Sequence, residues 1–300
     1  MSRGRAEGVP MRAFHAEVVD VIDLAPAMRR VVFGGPGLAG FCSTGVGDEY
    51  VRVLFPADPW GRPELPKIIG DDLDYGSIDW DRVRTYTVRA WDPVARQLTI
   101  DFVVHPGGVG AEWALRARPG MVVGVNSPRG LYDPPASISW QALVADYPGL
   151  PAAVRLAEQA PDGVRTHLVL EIPHESARVP IAERPGVEVR WVVGGTGHVA
   201  SRLEGVMRSL PKPGPDGYVW VAGETRALRG VRAHLRRGLG LPAGQYKAVG
   251  YWTADSERWY EAYEALDPQV RSELERLWDS ERPVEEIEAE YDARLTTLGL

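Results

Sequence analysis

The spacing of apolar runs changes near residue 135, and that change constrains the fold more than any other feature of the chain. Before it, residues 14–21, 29–33, 50–55, 84–91, 98–104 and 121–125 alternate or run apolar, with glycine and proline between them. Such runs predict strands joined by turns. Six of them, with one helical stretch near 111–117, predict a small six-stranded antiparallel barrel. After it, strand-like runs at 140–146, 166–172, 187–193, 218–222 and 246–251 alternate with helical stretches at 150–160, 199–210 and 225–238. That alternation predicts a parallel α/β sheet covered on both faces. From Asp255 the chain is helical and charged, with Trp259, Tyr263 and Leu266 on one face and Val284, Ile287, Tyr291, Leu295 and Leu298 at helical spacing after Pro283. The expected units are a barrel over 11–134, an α/β domain over 138–254 and a helical extension over 255–300. The extension either packs as a simple appendage or covers a ligand site or dimer contact.

Within the barrel half, Arg84-Thr85-Tyr86-Thr87-Val88-Arg89 carries the densest chemistry. Arg84 and Tyr86 share one face of a strand; Thr87 and Arg89 share the other. An aromatic ring, a hydroxyl and two guanidinium groups so close together suit an aromatic, polyanionic cofactor such as a flavin dinucleotide. Ordinary strand composition with solvated arginines accounts for the same residues. Downstream, His105-Pro106-Gly107-Gly108-Val109-Gly110-Ala111-Glu112-Trp113 places glycines before a helix start, which is an anion cradle or simply a tight turn. The 58–82 segment, rich in proline and aspartate, is long for a loop in a compact domain and reads as a flap or a surface excursion.

Composition narrows the function. A net charge of −7 and a pI near 5.5 argue against nucleic acid or an anionic membrane as the main partner. Cys42 is the only cysteine, which excludes an intrachain disulfide, and the six histidines lack metal-ligand spacing. No run is long enough for membrane insertion, and residues 1–6 lack the apolar core of a signal peptide. The expectation is a cytoplasmic protein with a disordered N-terminal tail and no protein-bound metal.

In the second half, ligands of a parallel sheet sit beyond the carboxyl ends of the strands. Those ends carry Asp146-Tyr147-Pro148, Gly194-Gly195-Thr196-Gly197 and Gly223-Glu224-Thr225. The glycine cluster is not a dinucleotide fingerprint, and a tight strand-to-helix turn explains it equally well.

Taken in order, these pieces resemble the siderophore-interacting proteins, which are flavin-dependent ferric-siderophore reductases of the ferredoxin-reductase superfamily. The resemblance rests on Arg84, Tyr86, Thr87 and Arg89; on Asp101, Phe102, Val103 and His105; and on the glycine turn closing on Trp113-Ala114. It also rests on Pro128-Arg129-Gly130, on Gly250-Tyr251-Trp252 and on the early strand from Asp48 to Pro56. It covers roughly residues 11–254. The resemblance implies FAD held by Arg84, Thr85, Tyr86, Thr87, Arg89, His105, Gly108, Val109, Gly110, Ala111 and Trp113, with Thr87 tuning the ring. It implies NADPH or NADH near Asp146, Gly194, Gly195, Thr196, Gly223, Glu224 and Trp252, with reduced ferredoxin as an alternative donor. A ferric siderophore would meet Lys67, Arg129 and Lys247. Hard oxygen donors hold Fe(III) far better than Fe(II), so one electron loosens the metal, and flavin converts the hydride pair into single electrons. Two departures stand out: Thr253, where the family often has a basic residue, and Tyr147-Pro148-Gly149, where it usually reads Glu-Thr-Ala. Rival readings are an electron-transfer module with a protein or free-flavin acceptor, and an iron-chelate carrier without turnover.

Overall fold

The computed structural model describes residues 10–195 and 200–300, apart from the side chains of Glu257 and Glu285. The N-terminal tail and, in the glycine cluster, Thr196 and Gly197 lie outside the described residues. The first half contains β1 (Ala13–Ala25), β2 (Met28–Gly34), β3 (Tyr50–Leu54), β4 (Lys67–Ile69), β5 (Asp72–Asp74), β6 (Val83–Thr87), β7 (Ala90–Asp92), β8 (Gln97–Val103), α1 (Val109–Arg116) and β9 (Val122–Asn126). Seven of these strands form one sheet in the order β6-β3-β9-β1-β2-β8-β7. All its pairings are antiparallel.

Six runs become seven segments because the run at 84–91 bends in the middle. The Val88 N–H bonds the Glu49 carbonyl at 2.8 Å, whereas the next N–H, of Arg89, bonds the Thr99 carbonyl at 2.9 Å. One bent strand therefore supplies both edges of the sheet, β6 against β3 and β7 against β8, and closes the barrel. Alternation reads through such a bend, because the side-chain period survives when the hydrogen-bond partner changes.

Phe14, Ala16 and Val18 of β1 point inward, as their alternation requires. They join an aromatic core in which Trp113 of α1 stacks on Phe33, with centroids 6.0 Å apart and planes 16° from parallel. The 58–82 segment is docked on the outside of the barrel. It holds the β4–β5 hairpin and bonds His15 through the Pro63 carbonyl at 3.0 Å. Leu65 covers Gly124, where a Cβ would come within 2.7 Å of its methyl.

The second half contains β10 (Trp140–Ala145), α2 (Leu150–Glu158), β11 (Arg165–Ile172), β12 (Val187–Val193), α3 (Leu203–Ser209), β13 (Gly217–Glu224), α4 (Thr225–Ala233) and β14 (Tyr246–Trp252). The strands are parallel in the order β12-β11-β10-β13-β14. β10, buried along its whole length, is the central strand, which is why it reads as an unbroken apolar run. α2 packs on one face of the sheet with Leu143, Leu168 and Trp220, and α3 and α4 on the other with Val144, Val169 and Val219. α3 begins at Leu203, later than the stretch from 199, and residues 201 and 202 before it bond Glu171.

The two halves share a core: Met28 of β2 is fully buried among the α2 residues. α5 (Ser256–Glu264), α6 (Pro268–Arg276) and α7 (Val284–Thr297) form a small third core around Leu274, Leu277, Ile287 and Leu295. Residues 255–300 hold fourteen acidic residues against five arginines, so α7 meets the arginine-bearing face of α4 with opposite charge. Arg232 pairs with Asp292 at 2.8 Å and lies 3.5 Å from Glu288, and Arg229 bonds the Leu300 carbonyl.

Candidate functional site

Two groups of residues face each other where the bent strand meets the strand ends of the parallel sheet. The first is built on β6. Thr87, opposite Tyr50 in the ladder, is 6 % exposed, and its hydroxyl has no hydrogen-bond partner among the described residues. The nearest candidate is the Tyr251 phenol from the end of β14, which reaches toward the Thr87 hydroxyl without completing a well-shaped hydrogen bond; burial holds that phenol protonated well above its usual range. A buried hydroxyl without a partner is costly unless something else completes it. Thr85, two residues earlier, is exposed and opposite Arg52.

Tyr86 points the other way. Its ring lies 4.4 Å from Phe102, and its hydroxyl reaches the first turn of α1, where a Cβ on Gly110 would collide with it. That contact joins strand and glycine turn into one surface. Gly107 and Gly108 adopt φ of 82° and 86°, a region closed to most side chains, and they deliver the chain into α1. Val109, Gly110 and Ala111 open the helix with N–H groups that no earlier turn can satisfy. The exposed His105 ring stands over this turn, 3.6 Å from where a Gly108 Cβ would be. Arg84 is exposed and folded back on the carbonyls of Asp81 and Val83 at 3.0 and 2.8 Å.

Two members of the expected set sit elsewhere. Arg89 makes a bidentate pair with Glu158 of α2, at 2.8 and 2.6 Å. Trp113 is 7 % exposed in the barrel core.

The second group gathers at the carboxyl ends of β10, β11, β13 and β14, beside the point where strand order reverses around β10. Asp146 is 1 % exposed. It accepts hydrogen bonds from the Trp252 indole at 2.6 Å, the Glu224 N–H at 2.8 Å and the Gly149 N–H at 3.3 Å. Burial pushes its carboxyl up to about 7, against those three donors. Glu224 caps α4 by accepting from Ala227 N–H and also holds Ala254 N–H. Gly223 leaves room for Asp146 and Leu203. Gly194 and Gly195, with φ of 63° at Gly195, let the chain pass over the buried Glu171 carboxylate. Glu171 gave no signal in the sequence beyond its place at a strand end.

Of the expected chelate residues, Arg129 lies closest to β6: its backbone bridges Tyr50, and its half-buried guanidinium leaves Nε unpartnered. Lys67 is exposed on the flap hairpin. Lys247 lies five residues before Trp252 on β14, roughly 16 Å along the strand from the cleft. Sequence reading missed Arg52. Its guanidinium lies 4.9 Å from the Tyr75 ring and 5.2 Å from the Trp80 ring, on the same face of β3 as Tyr50. Alternation from Tyr50 was the available signal. Among the described residues no group of His, Cys, Asp and Glu is arranged to hold a metal, and no helix is long and apolar enough to cross a membrane.

Residues 17–132 match the siderophore-interacting FAD-binding domain, and residues 138–255 match the siderophore-interacting protein family. The chain belongs to the siderophore-interacting proteins. A siderophore utilisation protein from T. fusca is 31 % identical, with a TM-score of 0.73 over 82 % of this chain and 94 % of its own. The NADPH-dependent ferric-chelate reductase of Escherichia coli is 26 % identical over 79 % of this chain and 91 % of its own. At 18 % identity, a cytochrome P450 reductase from Amycolatopsis shares the fold alone, with a TM-score of 0.60 over 82 % of this chain and 72 % of its own. The family models carry an FAD-binding domain and a siderophore-interacting domain, and the fold is shared with reductase structures of low identity.

Proposed function

We propose that this protein is an FAD-dependent reductase that takes electrons from NADPH or NADH and reduces the Fe(III) of a ferric siderophore, releasing Fe(II) in the cytoplasm. One observation carries the cofactor reading: the contact of Tyr86 with Gly110 joins a strand bearing a buried hydroxyl without a partner to a helix start whose first N–H groups have no earlier turn to bond. A flavin dinucleotide fits both parts. When bound, FAD would supply the conversion of a hydride pair into single electrons.

The chain's own residues do the rest. Arg84, now on two backbone carbonyls, would hold the pyrophosphate together with the N–H groups of Val109, Gly110 and Ala111. The Thr87 hydroxyl would hydrogen-bond the ring system, and Tyr251 would bound the ring site from the sheet side. Asp146 and Glu224 hold the strand ends that receive the nicotinamide. Arg52 and Arg129 give local positive charge for an anionic chelate on a protein that is negative overall. The α4 arginines support no preference between NADPH and NADH, because Arg229 and Arg232 already face the acids of α7.

The test is anaerobic. The purified protein should be yellow and release FAD into acid, and NADPH or NADH should bleach it in a stopped-flow mixer faster than reduced ferredoxin does. Adding a ferric siderophore should then restore the colour as a ferrous trap develops. Thr87→Val should keep the FAD but slow its reduction by roughly tenfold, the usual scale for one lost contact to the reacting group. Colourless protein that rebinds no flavin would sink the proposal.

A further inference from the structure

The strand that carries Tyr86 and Thr87 bends immediately after Thr87, and the barrel does not hold that bend alone. The Val88 N–H stays in the ladder with Glu49, but the Val88 carbonyl accepts from Nη1 of Arg155 at 2.5 Å. Arg155 belongs to α2, in the other half of the molecule, and is 7 % exposed. The same Nη1 bonds Glu49 Oε1 at 2.9 Å. Glu49 is fully buried and also accepts from Ser43 Oγ, Thr44 N and Thr44 Oγ1 at 2.5, 2.5 and 2.6 Å. One turn along α2, Glu158 holds Arg89. The two residues that follow Thr87 are thus gripped by two side chains of one helix face.

A buried ion pair is a poor way to gain stability, because desolvation offsets most of the attraction; fixing one geometry is its better use. We infer that Arg155, with Glu49, is a positioning residue for the ring site: it sets the Val88 peptide and through it the direction of the Thr87 hydroxyl. Arg155 touches neither group of site residues. The chemistry of the barrel site therefore depends on how the parallel sheet is docked. The inference rests on the flavin reading only where flavin is the readout.

Arg155→Met and Arg155→Lys test it in the full-length chain. Without flavin, Arg155→Met should speed amide hydrogen exchange at Val88 and Arg89 by roughly tenfold while β1 and β2 keep their protection. With FAD bound at wild-type stoichiometry, Arg155→Met should shift the midpoint potential of the flavin. It should also slow hydride uptake by roughly tenfold, with the half-saturating nicotinamide concentration unchanged. Arg155→Lys should recover most of both. Combined with Thr87→Val, Arg155→Met should add little, since both act through one hydroxyl. Unchanged exchange at Val88 and Arg89 overturns the inference, as do fully additive losses in the double variant. Should Arg155→Met not fold, Arg155→Lys gives the same readouts at smaller size, and wild-type behaviour in it overturns the inference too. If the wild-type protein binds no flavin, the proposed function fails while the exchange result still decides this one.

Discussion

The two halves of the cleft treat their charged groups in opposite ways. On the barrel side, hydrogen-bonding capacity is open: the Thr87 hydroxyl has no partner of good geometry among the described residues, Arg84 rests on backbone carbonyls, and the glycine turn leads into the first N–H groups of a helix, which have no earlier turn to bond. On the sheet side the carboxylates are already engaged: among the described residues Asp146 accepts three hydrogen bonds and Glu171 and Glu224 two each, and the buried Tyr147 hydroxyl is left without a partner. An open site gains a large free energy when a ligand completes it, which suits a resident cofactor. A closed site offers mainly shape and backbone, which suits a molecule that must leave after each turnover.

The contrast is breakable, and the largest expected effect lies on the closed side. Asp146→Ala leaves two buried backbone donors and the half-buried Trp252 indole without an acceptor, so it should lower unfolding stability by about 3 kcal/mol in a denaturant titration while the FAD stays bound. Loss of flavin with unchanged stability would reverse the assignment of the two sides. Next, Arg84→Ala should weaken FAD binding by about 1.5–3 kcal/mol, the cost of a charge-assisted bond, without altering stability, because its side chain is exposed.

A smaller effect follows from the raised carboxyl of Asp146. Between its ordinary 3.8 and about 7 the native state keeps a proton that the unfolded chain has lost, so this group makes stability fall as pH rises through that window. Asp146→Asn should remove that fall, so the variant should gain on wild type from pH 4 to 7 and hold a constant difference above. Denaturation midpoints that stay parallel across the window would show that the carboxyl ionises normally.

The smallest effect belongs to the rim. Arg129→Glu should raise the Michaelis constant for an anionic ferric siderophore a few-fold, roughly 1 kcal/mol, and the difference should fade in high salt. Flavin reduction by the nicotinamide should hardly change. Loss of FAD instead would move Arg129 into the cofactor seat.

Most of the architecture was legible from local pattern. Inward alternation in β1 and the unbroken apolar run of β10 each report how many faces of a strand are covered, and covered faces are what select those side chains. The bend at Val88 was not legible, since changing a backbone partner leaves the side-chain period intact. Arg89 reads like a cofactor ligand because its neighbours do, yet its partner Glu158 lies 69 residues away in sequence. Arg52 was passed over in a run that looked like plain barrel strand. Its meaning comes from Tyr75 and Trp80, which only the docked flap brings to it.

Sequence by itself determined the two kinds of sheet, the family resemblance and which strand and glycine turn are the candidates for a cofactor seat, because each is a matter of nearest neighbours along the chain. Tertiary structure alone decided which of those polar groups are left open and which are already satisfied. Tyr86 meets Gly110, Arg155 reaches Val88, and Asp146 gathers Trp252, Glu224 and Gly149. Satisfaction of a buried polar group depends on distances of about 3 Å between atoms far apart in sequence, and no pattern of residue types along a chain encodes those distances.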